Sequence, residues 1–152
     1  MATVSGMVRF GCVILVDRRG WVLLQERDEH PRIAPEQWGY CGGHLEDGET
    51  DLAGSLRELE EETGVALGPE DLVKVGEYAV HHVETGSDDT LVLYAAGTRL
   101  ADADIDCCEG RQIVFVDPAE ALALPLTASA RQTLPGFLES VIYRSLAAPI
   151  IS

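Results

Sequence analysis

The sequence predicts an α/β domain, a sheet covered by helices. Three observations carry that expectation. β-rich segments stand before and after one strongly patterned helix, in the order strands, helix, strands, helix, which suits neither an all-β barrel nor a helical bundle. The chain has 152 residues, 46% of them hydrophobic, so one core burying roughly two-thirds of the open chain's surface is within reach and a second is not. No internal repeat or low-complexity tract breaks it. We therefore expect a single domain over 1–152.

The elements follow in order. Residues 7–17 (MVRFGCVILVD) and 21–27 (WVLLQER) are β-rich, and Arg18-Arg19-Gly20 between them reads as a hairpin turn. Residues 28–37 are polar and carry Pro31 and Pro35, hence a loop. Trp38 to Gly42 reads as a short strand entering a Gly-Gly turn. Residues 51–63 form the clearest helix: Thr50 or Asp51 can cap its start, and Gly64 fits the stop position. Strands are expected at 72–84, 90–98 and 111–117, parted by Gly86-Ser87-Asp88-Asp89 and by the acidic stretch 102–109. Pro118–Ala123 suggests a short helical turn. From Thr127 the apolar spacing is helical, interrupted by Pro135-Gly136. Its Leu134, Phe137, Leu138, Val141 and Ile142 read as core or as the seam of a homodimer.

Eleven basic residues against 26 acidic ones give a net charge of −15. Nucleic-acid polymers and anionic membranes would be repelled. A small anionic substrate is compatible if divalent cations bind with it. Of the four cysteines, Cys12, Cys41, Cys107 and Cys108, none makes a C-x-x-C pair, so zinc and a disulfide framework are not expected. No aliphatic run is long enough to span a bilayer, and Met1–Phe10 shows no secretory pattern. A cytoplasmic protein is the simplest expectation.

Chemistry concentrates in residues 43–65, GHLEDGETDLAGSLRELEEETGV. On a wheel of about 100° per residue with Arg57 at zero, Glu61 falls near 40°, Glu58 near 100° and Glu62 near 140°. Leu52, Ala53, Leu56 and Leu59 fall between about 200° and 320°, with Glu60 at their rim. One face would pack on the sheet, and the other gathers three carboxylates and an arginine. Like charges at this spacing cost a helix a few tenths of a kcal/mol per pair, a cost that a hard divalent cation reverses. Arg57 can fix carboxylates bidentately, and Glu49 is its candidate partner.

The segment resembles the signature of the Nudix hydrolases, G-x5-E-x7-R-E-U-x-E-E-x-G-U with U aliphatic. Gly43, Glu49, Arg57, Glu58, Leu59, Glu61, Glu62, Gly64 and Val65 match it without departure. With seven fixed types at roughly 7% each, chance gives on the order of 10⁻⁸ per window. The resemblance implies an α/β/α sandwich around a mixed sheet. It implies hydrolysis of a nucleoside diphosphate linked to another moiety, with Mg²⁺ or Mn²⁺. Glu58 and Glu62 would be the main metal ligands, assisted by Glu61 and the Gly43 carbonyl, with Glu109 completing the site; Glu84, Asp88 and Asp106 are weaker candidates. Arg57 and Glu49 would orient, Glu58 or Glu61 would take the proton, and Arg27 would hold phosphates. Trp38 and Tyr40 would stack on a base or pack in the core. His81 and His82 point to opposite faces of a strand and would not share a metal.

Specificity lies outside the signature. Cys41 stands where many members have proline. The asparagine that reads the oxidised base in 8-oxo-dGTP-cleaving members has no counterpart near Leu124–Ala130, where Thr127 and Ser129 are the polar candidates. The expected partner is a small-molecule nucleotide. A catalytically silent nucleotide-binding domain of the same fold, and isomerase chemistry on isopentenyl diphosphate, are the competing readings.

Overall fold

Alternation along the first strand sets the layers. In β1 (Arg9–Val16), Cys12, Ile14 and Val16 enter one buried cluster and Val13 and Leu15 another. A strand buried on both faces reads as an unbroken apolar run, which is what CVILV is. The computed structural model describes residues 8–27, 37–82, 86–106 and 112–147. The remaining strands are β2 (Val22–Glu26), β3 (Trp38–Gly39), β4 (Cys41–His44), β5 (Val73–His82), β6 (Ser87–Gly97) and β7 (Gln112–Val116). The helices are α1 (Asp51–Thr63), α2 (Pro118–Ala123), α3 (Ala128–Leu138) and α4 (Val141–Ala147). Among the described residues the seven strands form one sheet ordered β3-β2-β1-β6-β5, with β4 on β1 and β7 on β2. Only β1 and β6 run parallel, so the sheet is mixed. Leu59 of α1 belongs to one cluster, and Ala130, Leu134 and Phe137 of α3 to the other. The expected mixed sheet between helical layers is therefore present. Among the described residues no helix is long and apolar enough to cross a membrane.

The sheet is split beside β1. β1 and β2 pair at Val16↔Val22, and residues 38–44 fill the wedge beyond. Trp38 and Gly39 pair with β2, whereas Cys41–His44 pair with β1. The expected strand at 38–42 thus divides at Tyr40, and the expected Gly-Gly turn is itself strand. Gly42, at φ +156°, fits there because a Cβ would fall on the Gly11 carbonyl.

Three other expectations are corrected. The separator at 86–89 shrinks: Ser87, Asp88 and Asp89 pair with His82, His81 and Val80 and belong to β6. α3 runs through Pro135-Gly136 and stops at Glu139 instead, whose N–H turns back to the carbonyls of Gly136 and Phe137. Pro135 sits inside the helix on its exposed side, where it removes one i→i−4 hydrogen bond without ending the helix. The buried stripe of α1 comprises Gly54, Ser55, Leu59, Glu62 and Thr63, so the helix is rolled toward its carboxylates. Ala53 is exposed and Glu62 is not.

Candidate active site

Local rules fix where the acidic side chains stand. The Thr50 hydroxyl accepts the Ala53 N–H at 3.1 Å and starts α1. Gly64, at φ +78°, ends it, its N–H donating to the Glu60 carbonyl. Between these caps Arg57 is a hub. Its Nε and Nη2 grip Glu49 Oε2 and Oε1 at 2.7 and 3.0 Å. Its Nη1 donates to Glu58 Oε1 at 3.0 Å and Glu61 Oε2 at 2.7 Å, and Nη2 also reaches the His44 carbonyl at 3.2 Å. The Glu46 N–H adds a bond to Glu49 Oε1 at 2.8 Å. The Arg57 guanidinium, then that N–H, hold the Glu49 carboxyl down at about 2. The Arg57 pKa is raised in turn, by the hydrogen bond to Glu49 first.

Glu62 is only 7% exposed and takes the Gly42 N–H on Oε2 at 3.0 Å. The Glu58 carboxylate lies where a Cβ on residue 43 would stand, so a side chain there would push that carboxylate aside; Gly43 serves close approach rather than a turn. Glu58, Glu62, Gly42 and Gly43 all line a cleft of about 400 Å³. The cleft has two unlike walls. Gln25, Arg27, Glu58 and Glu62 make the polar wall. Phe10, Cys12, Tyr40, Val80 and Leu91 make an apolar one, continuous with the core cluster on the α3 side of the sheet. Gly39, Thr127, Ser129 and His44 complete the lining, the His44 ring centroid 4.6 Å from that of Phe10. Burial, with the charges of Glu62 and Glu58 behind it, pushes the Cys12 thiol pKa up and keeps it protonated.

The expected residues distribute unevenly. Glu58, Glu62, Gly43, Arg27 and Tyr40 line the cleft. The Glu61 side chain is 56% exposed against 17% for Glu58, and it is held on Arg57 outside the lining. Trp38 packs against the α3-side core cluster. Asp88 pairs with His81 on the β5–β6 ribbon at 2.7 Å, and Asp106 sits over Gly64. Glu109 and Glu84, with Cys107 and Cys108, lie outside the described residues. Phe10, Cys12, Gln25, His44, Val80 and Leu91 are lining residues that sequence reasoning missed. Their only signal is strand register: His44, Phe10 and Leu91 stand opposite one another across β4, β1 and β6.

Among the described residues no three acidic, histidine or cysteine side chains gather into a complete metal cage. Two carboxylates facing an open cleft, with a bare glycine between them and the strand, suit a hard cation that draws its other ligands from phosphate and water.

The NUDIX domain family model matches residues 7–137. The chain is 28% identical over 124 residues to the CTP pyrophosphohydrolase of Escherichia coli (strain K12), covering 82% of this chain and 87% of that protein. In structure it is similar to the MutT protein of Methanosarcina mazei Go1, at TM-score 0.74 and 21% identity, covering 91% of this chain and 97% of that one. It is also similar to the NUDIX domain of Shewanella oneidensis NrtR complexed with ADP ribose, at TM-score 0.72 and 19% identity, covering 88% and 87%. At these identities the structural likenesses establish the fold.

Proposed function

The chain belongs to the Nudix family as a Nudix pyrophosphohydrolase, and from that premise we propose that its substrate is a nucleoside diphosphate joined to a further group. Nucleoside triphosphates and nucleotide sugars are the leading classes. The single observation that carries this is the mixed lining of one cleft: paired carboxylates for a cation-bound diphosphate, and apolar side chains continuous with the core for a flat ring.

Nudix hydrolases use divalent metals, and Mg²⁺, with Mn²⁺ as the alternative, is our choice here. Glu58, Glu62 and the Gly43 carbonyl would hold it, with Glu61 and Glu109 as the further ligands expected from the signature. When bound, the cation neutralises phosphate oxygens and lowers the pKa of water. Arg57 keeps Glu58 turned toward the cleft while Glu49 keeps Arg57 in place. A carboxylate takes the proton of the attacking water, and Glu58, which stands in the cleft, is favoured over the outlying Glu61. Arg27 holds a phosphate at the polar wall, Tyr40 offers a ring edge to the base, and Trp38 serves mainly as packing. We propose a single cytoplasmic domain over 1–152, able to form a homodimer, with no nucleic-acid polymer or membrane as partner; of the expected seam residues, Leu134 and Phe137 are buried in this chain's own core.

A catalytically silent nucleotide-binding domain is the second reading. Retention of every signature carboxylate, with Arg57 gripping Glu49 in two-pronged geometry, favours turnover. A phosphate and pyrophosphate release assay over a nucleotide panel, with and without Mg²⁺, decides it. Mg²⁺-dependent turnover of at least one nucleotide is expected; tight binding with no turnover of any would overturn the reading.

A further inference from the structure

The apolar lining of the cleft is assembled from segments far apart in sequence, and a buried side chain holds two of them together. Thr133 is 5% exposed and does not line the cleft. Its hydroxyl donates to the Ser129 carbonyl at 2.8 Å. A hydroxyl has one proton to give, so in the 2.6 Å contact between Tyr40 and Thr133 the tyrosine is the donor. The chain of bonds runs from the Tyr40 ring, a cleft wall, through Thr133 to Ser129, another lining residue. Backbone bonds join the same two segments: the Trp38 N–H to the Pro125 carbonyl and the Thr127 N–H to the Trp38 carbonyl, both at 2.8 Å. Thr127 also packs its side chain on Gly39. Residues 38–40 are therefore tied at several points to residues 125–133, and the Tyr40–Thr133 bond is the side-chain clasp between them.

We propose that Thr133 is a positioning residue for nucleotide binding: through Tyr40 and Ser129 it presets the ring-binding wall, without touching substrate and without acting on the carboxylate wall. This rests on the reading of the cleft as a nucleotide site. A preset wall spares the ligand the cost of ordering it, so losing the clasp should weaken binding and leave chemistry alone.

The test uses Thr133→Val, which keeps the shape and removes the hydroxyl, with Thr133→Ser as the conservative variant and Tyr40→Phe from the other side. KM and kcat are measured for the four ribonucleoside triphosphates in Mg²⁺, together with Kd for a non-hydrolysable α,β-methylene analogue. Thr133→Val and Tyr40→Phe should each raise KM and Kd about 2- to 10-fold, the range of one lost hydrogen bond. The double variant should be no worse than the poorer single, and Thr133→Ser should restore wild-type values. kcat and the Mg²⁺ concentration for half-maximal rate should not move. A lowered Tm with unchanged KM and Kd would overturn the proposal and make Thr133 a packing residue. Should Thr133→Val not fold, unchanged KM and Kd in Tyr40→Phe would overturn it equally. A wild type that binds the analogue but hydrolyses nothing defeats the functional reading while Kd still decides the proposal. A wild type that binds no nucleotide defeats both.

Discussion

The two walls of the cleft are built by opposite routes. The polar wall draws its two carboxylates from one helix, and their geometry is settled within residues 42–64 by two helix caps, one arginine and a glycine pair. The apolar wall draws Phe10, Val80 and Leu91 from three strands and Tyr40 from the break between β3 and β4, joined by register and burial. A wall made of charges over a short span should fail chemically when altered. A wall made of packing should fail in binding and stability.

Glu62→Gln offers the largest break in that contrast. The buried carboxylate loses its charge while the amide oxygen can still accept the Gly42 N–H. Turnover in Mg²⁺ should fall by about 10²-fold or more, several kcal/mol of charge stabilisation at 1.4 kcal/mol per decade, with an unchanged far-UV spectrum. Near wild-type turnover on the best substrate would remove Glu62 from the metal site. Gly43→Ala comes next. Its methyl collides with the Glu58 carboxylate, and kcat should drop by about 10-fold or more as that group is displaced. On the other wall, Leu91→Ala should cost about 2–4 kcal/mol of stability in denaturant titrations and raise KM more than it lowers kcat. A pure kcat loss there would erase the distinction between the walls.

Acid sharpens the same contrast. The Glu49 carboxyl ordinarily titrates near 4.5 and is held at about 2 by Arg57. A depressed pKa contributes stability that is full above the ordinary value and is lost as pH falls toward the folded one. Arg57→Gln should therefore raise the pH at which acid unfolding begins, within the window from about 4.5 to about 2. Coincident acid transitions in the two proteins would contradict the hub. The smallest effect belongs to Lys74, whose exposed pair with Glu77 is remote from both walls: Lys74→Ala should change stability by less than about 0.5 kcal/mol and leave KM alone.

The sequence was legible where interactions are local. The caps at Thr50 and Gly64, the spacing of Arg57, Glu58 and Glu62, and the turn at Arg18–Gly20 all depend on neighbours within a few residues. What stayed hidden depends on pairing across the chain. A wheel places Glu62 on a solvated face, because it carries no knowledge of the Gly42 N–H that buries it. The Gly42-Gly43 pair suggests a turn until β1 is seen to lie beside it. Phe10 and Leu91 become neighbours only through the parallel β1–β6 register, and no local pattern in residues 7–17 announces that partner. Family resemblance supplied the fold and the roles proposed for the helix residues. It was silent on most of the apolar lining, which lies outside the signature.

The central claim is that Glu58 and Glu62 make a cation site which the cleft shares with a diphosphate. Calorimetric titration of Mn²⁺ into the protein loaded with an α,β-methylene nucleotide, compared with Glu58→Gln/Glu62→Gln, tests it most directly. The account predicts saturable Mn²⁺ binding in the wild type and its loss in the double variant, with the fold retained. Equal Mn²⁺ binding by both proteins, or none by the wild type, would contradict it.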